Sequence, residues 1–363
     1  MGSCDFCKKD PTEPLKSCVC HKAAYCSKEC QAKDWKTHKP SCPPFIVRES
    51  PGKGRGLFAT RKIKEGEIIL EEYPLLVLRD GITLNEIQAI IYPNIDEETK
   101  AKILQLHDPA DDIKNLDTET VEKIIRKKPI MKFWREARSD EMSKIFRIIT
   151  CYSNQICGEQ DLYNTTEGGL YIKITLINHS CVPNATMSWV MGDFQRKQVR
   201  AIMVIKKDQE ILVSYRKTEE FIHGAREFRR QALLELHGFV CDCSECSLVG
   251  EDLEENERMR AEIRETGAET HQLIRRVGFD PVPRKDVKKA MKLAQRFVKL
   301  IQTLNLREGF VSGMLGFYHF AIKARSMNIS CENDPDIYKQ EALKYAKMFG
   351  DDYIHFYKKS FNN

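Results

Sequence analysis

The alternation of apolar and polar positions divides the chain into stretches of different texture. Residues 45–47, 56–59, 67–70 and 74–78 are short apolar runs separated by glycine-containing turns, the pattern of strands and hairpins. Residues 79–150 are more charged, and apolar side chains recur at helical spacing in 84–91, 118–125 and 141–149. Strand texture returns at residues 169–177, rich in β-branched and aromatic side chains. This run leads into Asn178-His179-Ser180-Cys181, and Val182-Pro183-Asn184 stops it. Residues 201–205 and 211–215 read as the arms of a hairpin that ends on Tyr215. Further on, residues 254–277, 287–304, 309–327 and 338–359 each carry apolar positions at i, i+3 and i+4. The order predicts an α+β protein: a β-rich middle with a helical insert, then an all-α tail.

Residues 1–42 fit neither texture. Apart from Tyr25 and Trp35 they hold few large apolar side chains, too few to bury a core that offsets chain entropy. They do hold Cys4-x2-Cys7, Cys18-x-Cys20, Cys26-x3-Cys30 and His38-x3-Cys42, eight soft or borderline ligands in four pairs. That is enough for two tetrahedral zinc sites, with the metal supplying the folding energy. His21 follows Cys20 directly, and either could bind. Cys241-x-Cys243-x2-Cys246 offers three more thiols, and Cys181 is the candidate for a fourth. Eleven of the 14 cysteines are thereby absorbed in clusters, which in a reducing compartment point to metal rather than disulfides.

A chain of 363 residues exceeds one ordinary core, so two or three units are expected. A hydrophobic fraction of 42% suits a soluble protein. The sequence has no run of about 18 apolar residues to span a bilayer, and its first residues do not resemble a signal peptide. An intracellular protein of cytoplasm and nucleus, without membrane contact, is the expectation. The net charge of +5 is modest, and acidic residues are interspersed throughout, which gives direct nucleic-acid binding little support.

Gly52, Gly54 and Gly56 surround Arg55 between two strands rather than opening a helix, so they are not a dinucleotide or P-loop phosphate cradle. They let the backbone approach something closely. Each motif has a plain structural explanation when taken alone: a hairpin here, a turn at Asn178-His179-Ser180, an aromatic strand end at Tyr215, core thiols at Cys151 and Cys157. In order, however, the glycine turn, the Asn-His-Ser-Cys loop, Tyr215 and Phe239 with the last cysteines resemble a SET-domain lysine methyltransferase. With the N-terminal cysteine cluster, the chain resembles the SET-and-MYND (SMYD) family.

The resemblance implies a MYND zinc finger at 1–44, a SET domain at 45–240 with a helical insert at 79–150, a post-SET zinc segment at 241–249 and a tetratricopeptide-like helical domain at 250–363. It pairs Cys4, Cys7, Cys26 and Cys30 on one zinc and Cys18, Cys20, His38 and Cys42 on a second. A third zinc falls to Cys181, Cys241, Cys243 and Cys246. Cys20 rather than His21 keeps the family spacing to Cys26, although the family pair is usually Cys-x2-Cys. The finger precedes the glycine turn here, whereas in the best-known members it is inserted after that turn. The cofactor implied is S-adenosylmethionine, contacted by Gly54, Arg55, Gly56, Asn178, His179, Tyr215 and Phe239, with Tyr215 as the catalytic residue. The implied substrate is a lysine of a histone or non-histone protein. Proline-containing peptides would dock at the finger, and the chain would act as a monomer. The rival expectation is a catalytically silent adaptor that bridges proteins in transcriptional repression.

Overall fold

The computed structural model describes residues 3–10, 13–18, 22–79, 90–108, 140–152, 154–156, 167–190, 193–277, 283–307, 324–329 and 335–349, with a few isolated residues outside these runs. The finger opens with β1 (Lys16–Ser17) paired to β2 (Ala24–Tyr25), followed by helix α1 (Lys28–His38). Ser27 caps α1 by accepting from the Cys30 amide, which sets two cysteine-bearing turns side by side. Tyr25, Cys4, Cys18 and Cys42 are buried together in a small core of their own.

The β-rich middle begins with β3 (Phe45–Ser50), β4 (Gly54–Ala59), β5 (Ile68–Glu72) and β6 (Leu76–Arg79). Helices α2 (Glu97–Leu104) and α3 (Glu141–Tyr152) belong to the insert. They bury Ile103, Ile145, Phe146 and Ile149 against Leu78 and Leu170. The buried Arg147 binds Asp108 through two bonds of 2.8 and 2.5 Å, fixing the segment after α2 to α3. Most of the expected helix at 84–91 lies outside the described residues, as does half of 118–125, where residues 118, 119, 121 and 122 are helical.

β7 (Asn154–Ile156) and β8 (Glu167–Leu170) form a sheet with β6. The chain then departs from the expectation of one strand over 169–177. After β8 it makes a single helical turn, α4 (Ile172–Thr175), before β9 (Asn178–His179). The cause is tertiary: the Glu72 carboxylate, 101 residues earlier, accepts the Lys173 amide at 3.0 Å and the Ile174 amide at 2.9 Å, capping a turn whose residues favour strand.

β10 (Ala185–Val190), β11 (Asp193–Ala201) and β5 form a second sheet. β12 (Glu210–Val213) corrects the expected hairpin of 201–205 with 211–215. It runs antiparallel to β4 and parallel to β9 in a sheet ordered β3-β4-β12-β9, while Ile205 bridges to Ile63 instead. Leu57, Ile211 and Val213 are fully buried at its centre with Val199 and Tyr171.

Helices α5 (Glu219–Ile222) and α6 (Arg226–His237) follow, and Gly238 ends α6 in the left-handed conformation at φ 80°. No helix was expected between Tyr215 and Cys241. The tail holds α7 (Gly250–Val277), α8 (Arg284–Thr303) and α9 (Pro335–Phe349). α7 and α8 bury Ile263, Val287, Phe297, Leu300 and Ile301 in a separate core. Most of the expected helix at 309–327, where residues 324–326 are helical, and the end of 338–359 lie outside the described residues.

Candidate active site

The glycine turn, the loop entered through β9, and the segment after α6 meet around a cavity of about 370 Å³. Its wall includes Gly52, Lys53, Gly54 and Arg55 on one side and Tyr215, His237 and Phe239 on the other, with Leu106, His107, Cys151 and Tyr152 from the insert and α3. Gly54 has φ 73°, open to glycine and strained for other residues. Gly56 is constrained differently. A β-carbon there would stand 2.3 Å from Glu210 Oε1 and 3.0 Å from Asn178 Nδ2. Those two side chains are bonded to each other at 2.8 Å, and Asn178 Nδ2 also donates to the Arg55 carbonyl at 3.1 Å. Asn178 therefore locks β9 to the turn. The Arg55 guanidinium donates to the Gln105 carbonyl, holding the end of α2 beside the cavity.

His179 is 4% exposed, and burial lowers its pKa to about 4, so it is neutral at physiological pH. Its Nδ1 accepts the Tyr215 amide at 3.0 Å, which leaves the ring proton on Nε2, 3.5 Å from Cys181 Sγ. Both ring nitrogens are thus engaged by protein, and what His179 offers the cavity is its ring. Asn184, four residues on in sequence from Ser180, donates to the Glu210 carbonyl at 2.7 Å and accepts from the Leu212 amide at 2.8 Å, stitching the loop to β12.

Tyr215 lies just beyond β12 with its hydroxyl donating to the Ile177 carbonyl at 2.9 Å. Burial pushes its pKa up, so it stays a phenol, and its oxygen keeps a lone pair for a donor in the cavity. Its ring stands 5.1 Å from His237, 5.2 Å from His179 and 6.1 Å from Phe239, centroid to centroid. The four rings pack against one another as an aromatic cluster that gives the cavity a water-excluding wall. His237, Lys53, Asp242, His107 and Met187 line the cavity but were not singled out from the sequence. The signal for His237 was present: apolar spacing across 226–236 closed by Gly238 marks a helix end two residues before Phe239.

The sulfur geometry tests the metal assignments. A tetrahedral zinc with bonds of about 2.3 Å needs ligand sulfurs about 3.8 Å apart. Cys181 Sγ is 3.9 Å from Cys241 Sγ and 3.6 Å from Cys246 Sγ, and these three with Cys243 converge within 4.8 Å. Cys7 and Cys26 are 3.7 Å apart, Cys26 and Cys30 3.5 Å, and Cys4 completes their group. Cys18 and Cys42 are 3.7 Å apart with His38 beside them. Cys20 and His21 lie outside the described residues. The three clusters fit zinc.

The SET domain family matches residues 54–216, and the MYND finger family matches residues 4–42. The two matches together, with the relatives, support the SET-and-MYND (SMYD) family. The histone-lysine N-methyltransferase ASHR1 of Arabidopsis thaliana is 29% identical over 264 residues, covering 70% of this chain and 48% of the relative. The N-lysine methyltransferase SMYD2 of Homo sapiens is 25% identical over 69% of this chain and 51% of its own length. The Homo sapiens histone-lysine N-methyltransferase SMYD3 is 26% identical over 72% of this chain and 56% of its own. The chain spans about half the length of the curated relatives it matches.

Proposed function

We propose that this SMYD-family chain is an S-adenosylmethionine-dependent protein-lysine N-methyltransferase. The observation that carries the reading is the union of a glycine turn and an aromatic cluster that includes Tyr215 in the lining of one cavity of about 370 Å³. The residues fit the cofactor: the backbone of Gly54 and Arg55 lines the cavity and permits close approach, Gly56 packs behind it on Glu210 and Asn178, Asn178 braces that backbone, and Lys53 and Arg55 are cations in the same lining. When bound, S-adenosylmethionine supplies a methyl group activated on a sulfonium.

A lysine amine in water has a pKa of about 10.4 and is a poor nucleophile at neutral pH because it is charged. Entry into the cavity beside Tyr215, His237 and Phe239 strips water from it, which favours the neutral amine. The Tyr215 oxygen accepts an amine N–H and so fixes the direction of the nitrogen lone pair. The neutral His179 holds the Tyr215 backbone and has no proton-accepting atom left for the substrate. The names of the relatives favour lysines of histones and of other proteins as substrates. The finger serves as a docking surface for proline-containing peptides, and the protein works in cytoplasm and nucleus.

Incubation of the full chain with labelled cofactor, histones and cell extract tests the reading. Label should appear on protein lysines with wild type and fall sharply with Tyr215→Phe. A chain that binds cofactor and labels nothing is an adaptor instead.

A further inference from the structure

Two of the most deeply buried side chains in the protein are arginines, and both stand beside the zinc cluster at the end of the SET domain. Arg229 on α6 is 1% exposed and Arg260 on α7 is fully buried. One carboxylate serves both: Glu245, which lies in sequence between two of the cysteines, is 3.8 Å from Arg229 Nη2 and bonds Arg260 Nη2 directly. Their other hydrogen bonds to oxygen are to neutral groups. Arg229 Nη1 donates to the Gly224 carbonyl at 2.5 Å, and Arg260 donates to Asn256 Oδ1 at 3.0 Å and to the Ile222 carbonyl. A second buried cation without its own anion is unfavourable in a low dielectric.

The missing negative charge is in the cluster itself. Four thiolates around one divalent zinc leave two net negative charges. Arg229 Nη2 points at Cys246 Sγ from 3.8 Å. Arg230, half-buried, donates to the carbonyls of Cys241 at 3.1 Å and Cys246 at 3.0 Å. Three guanidinium groups and one carboxylate carry two net positive charges, which match the metal centre. Asp242 pairs with Lys53 at 3.1 Å, so this neighbouring ion pair leaves the balance unchanged.

We propose that Arg229, with Arg230 and Arg260, forms a cationic shell that neutralises the zinc tetrathiolate, and that through Arg260 and Glu245 the C-terminal helix α7 governs how firmly this zinc is held. Arg229 is a positioning residue here: it acts on the metal, not on the reacting atoms. The inference rests on the zinc cluster and is independent of the catalytic reading. It gives the helical tail a defined task, since Arg260 brings its charge to the cluster only while α7 is packed.

The test uses the full zinc-loaded chain and follows transfer of zinc to a chromogenic chelator, with the two finger ions as the internal reference. Arg229→Met keeps length and apolar bulk but removes the charge. It should release one of three zinc ions at least about tenfold faster, a change of about 1.4 kcal/mol in barrier, while the finger ions leave at the wild-type rate. Arg229→Lys should restore release to within a few-fold of wild type. Equal rates for the lysine and methionine variants, or a wild-type rate for methionine, would overturn the proposal. Should Arg229→Met fail to fold, the half-buried Arg230→Gln carries the same test with a smaller, few-fold acceleration expected, and no acceleration there overturns it equally.

Discussion

At the scale of single residues, Tyr215 and Gly56 divide the work between chemistry and binding. The Tyr215 hydroxyl already has a carbonyl to donate to, so its loss removes an acceptor for the substrate amine without exposing a charge. Tyr215→Phe should keep cofactor affinity within a few-fold by calorimetry and lower turnover by about 10²-fold, the scale of one preorganised polar contact. Gly56→Ala acts through neighbours. Its new methyl must displace the Glu210 carboxylate and so break the bond that steadies Asn178. A loss of about 1–2 kcal/mol in stability, read from the denaturant midpoint, and a weaker cofactor complex are expected.

At the scale of elements, the insert reaches the cavity through the segment that Arg147 holds. Removing one partner from a buried ion pair leaves the other desolvated and unpaired, so Arg147→Met should cost about 3–5 kcal/mol and slacken Leu106 and His107 at the cavity wall. Urea unfolding and cofactor titration on the same variant read the two effects.

The elements that were legible in the sequence share a property. β3, β4, α3, α7 and α8 carry their own periodicity, and the cysteine clusters carry their own spacing. What escaped was decided elsewhere in the chain. The turn of α4 is imposed by Glu72, the partners of β12 are chosen by β4 and β9, and the short β9 has no periodicity to show. His237 escaped for a local reason, because charged residues at 226, 227, 229, 230 and 235 interrupt the apolar pattern of its helix. The candidate site was legible as a set of motifs, but the ring cluster and the locked tautomer of His179 needed distances.

At the scale of the whole molecule, metal organises both ends of the fold. Elemental analysis should give three zinc ions per chain, and chelation should open the finger to proteolysis before the β-rich middle, because the finger has little other core. Cys246→Ser should leave two ions and lower cofactor affinity and turnover by at least about tenfold each, since Phe239 and His179 sit next to the cluster. Wild-type cofactor affinity in a chain shown to hold two ions would contradict this.

The position of β12 between β4 and β9 has a consequence for biosynthesis. β4 leaves the ribosome with one edge committed to β3 and the other waiting for residues 210–213. At synthesis rates of about 5–20 residues per second, that edge stays open for roughly 8–30 seconds, and β9 cannot gain its parallel partner any sooner. Nascent chains stalled near residue 200 should therefore be cut readily by protease within residues 54–59, whereas chains extended past residue 250 should resist. The last strand to be made among the described residues is the one that closes the middle of the sheet, and His237 and Phe239 follow it, so the cavity is complete only after residue 239 has emerged.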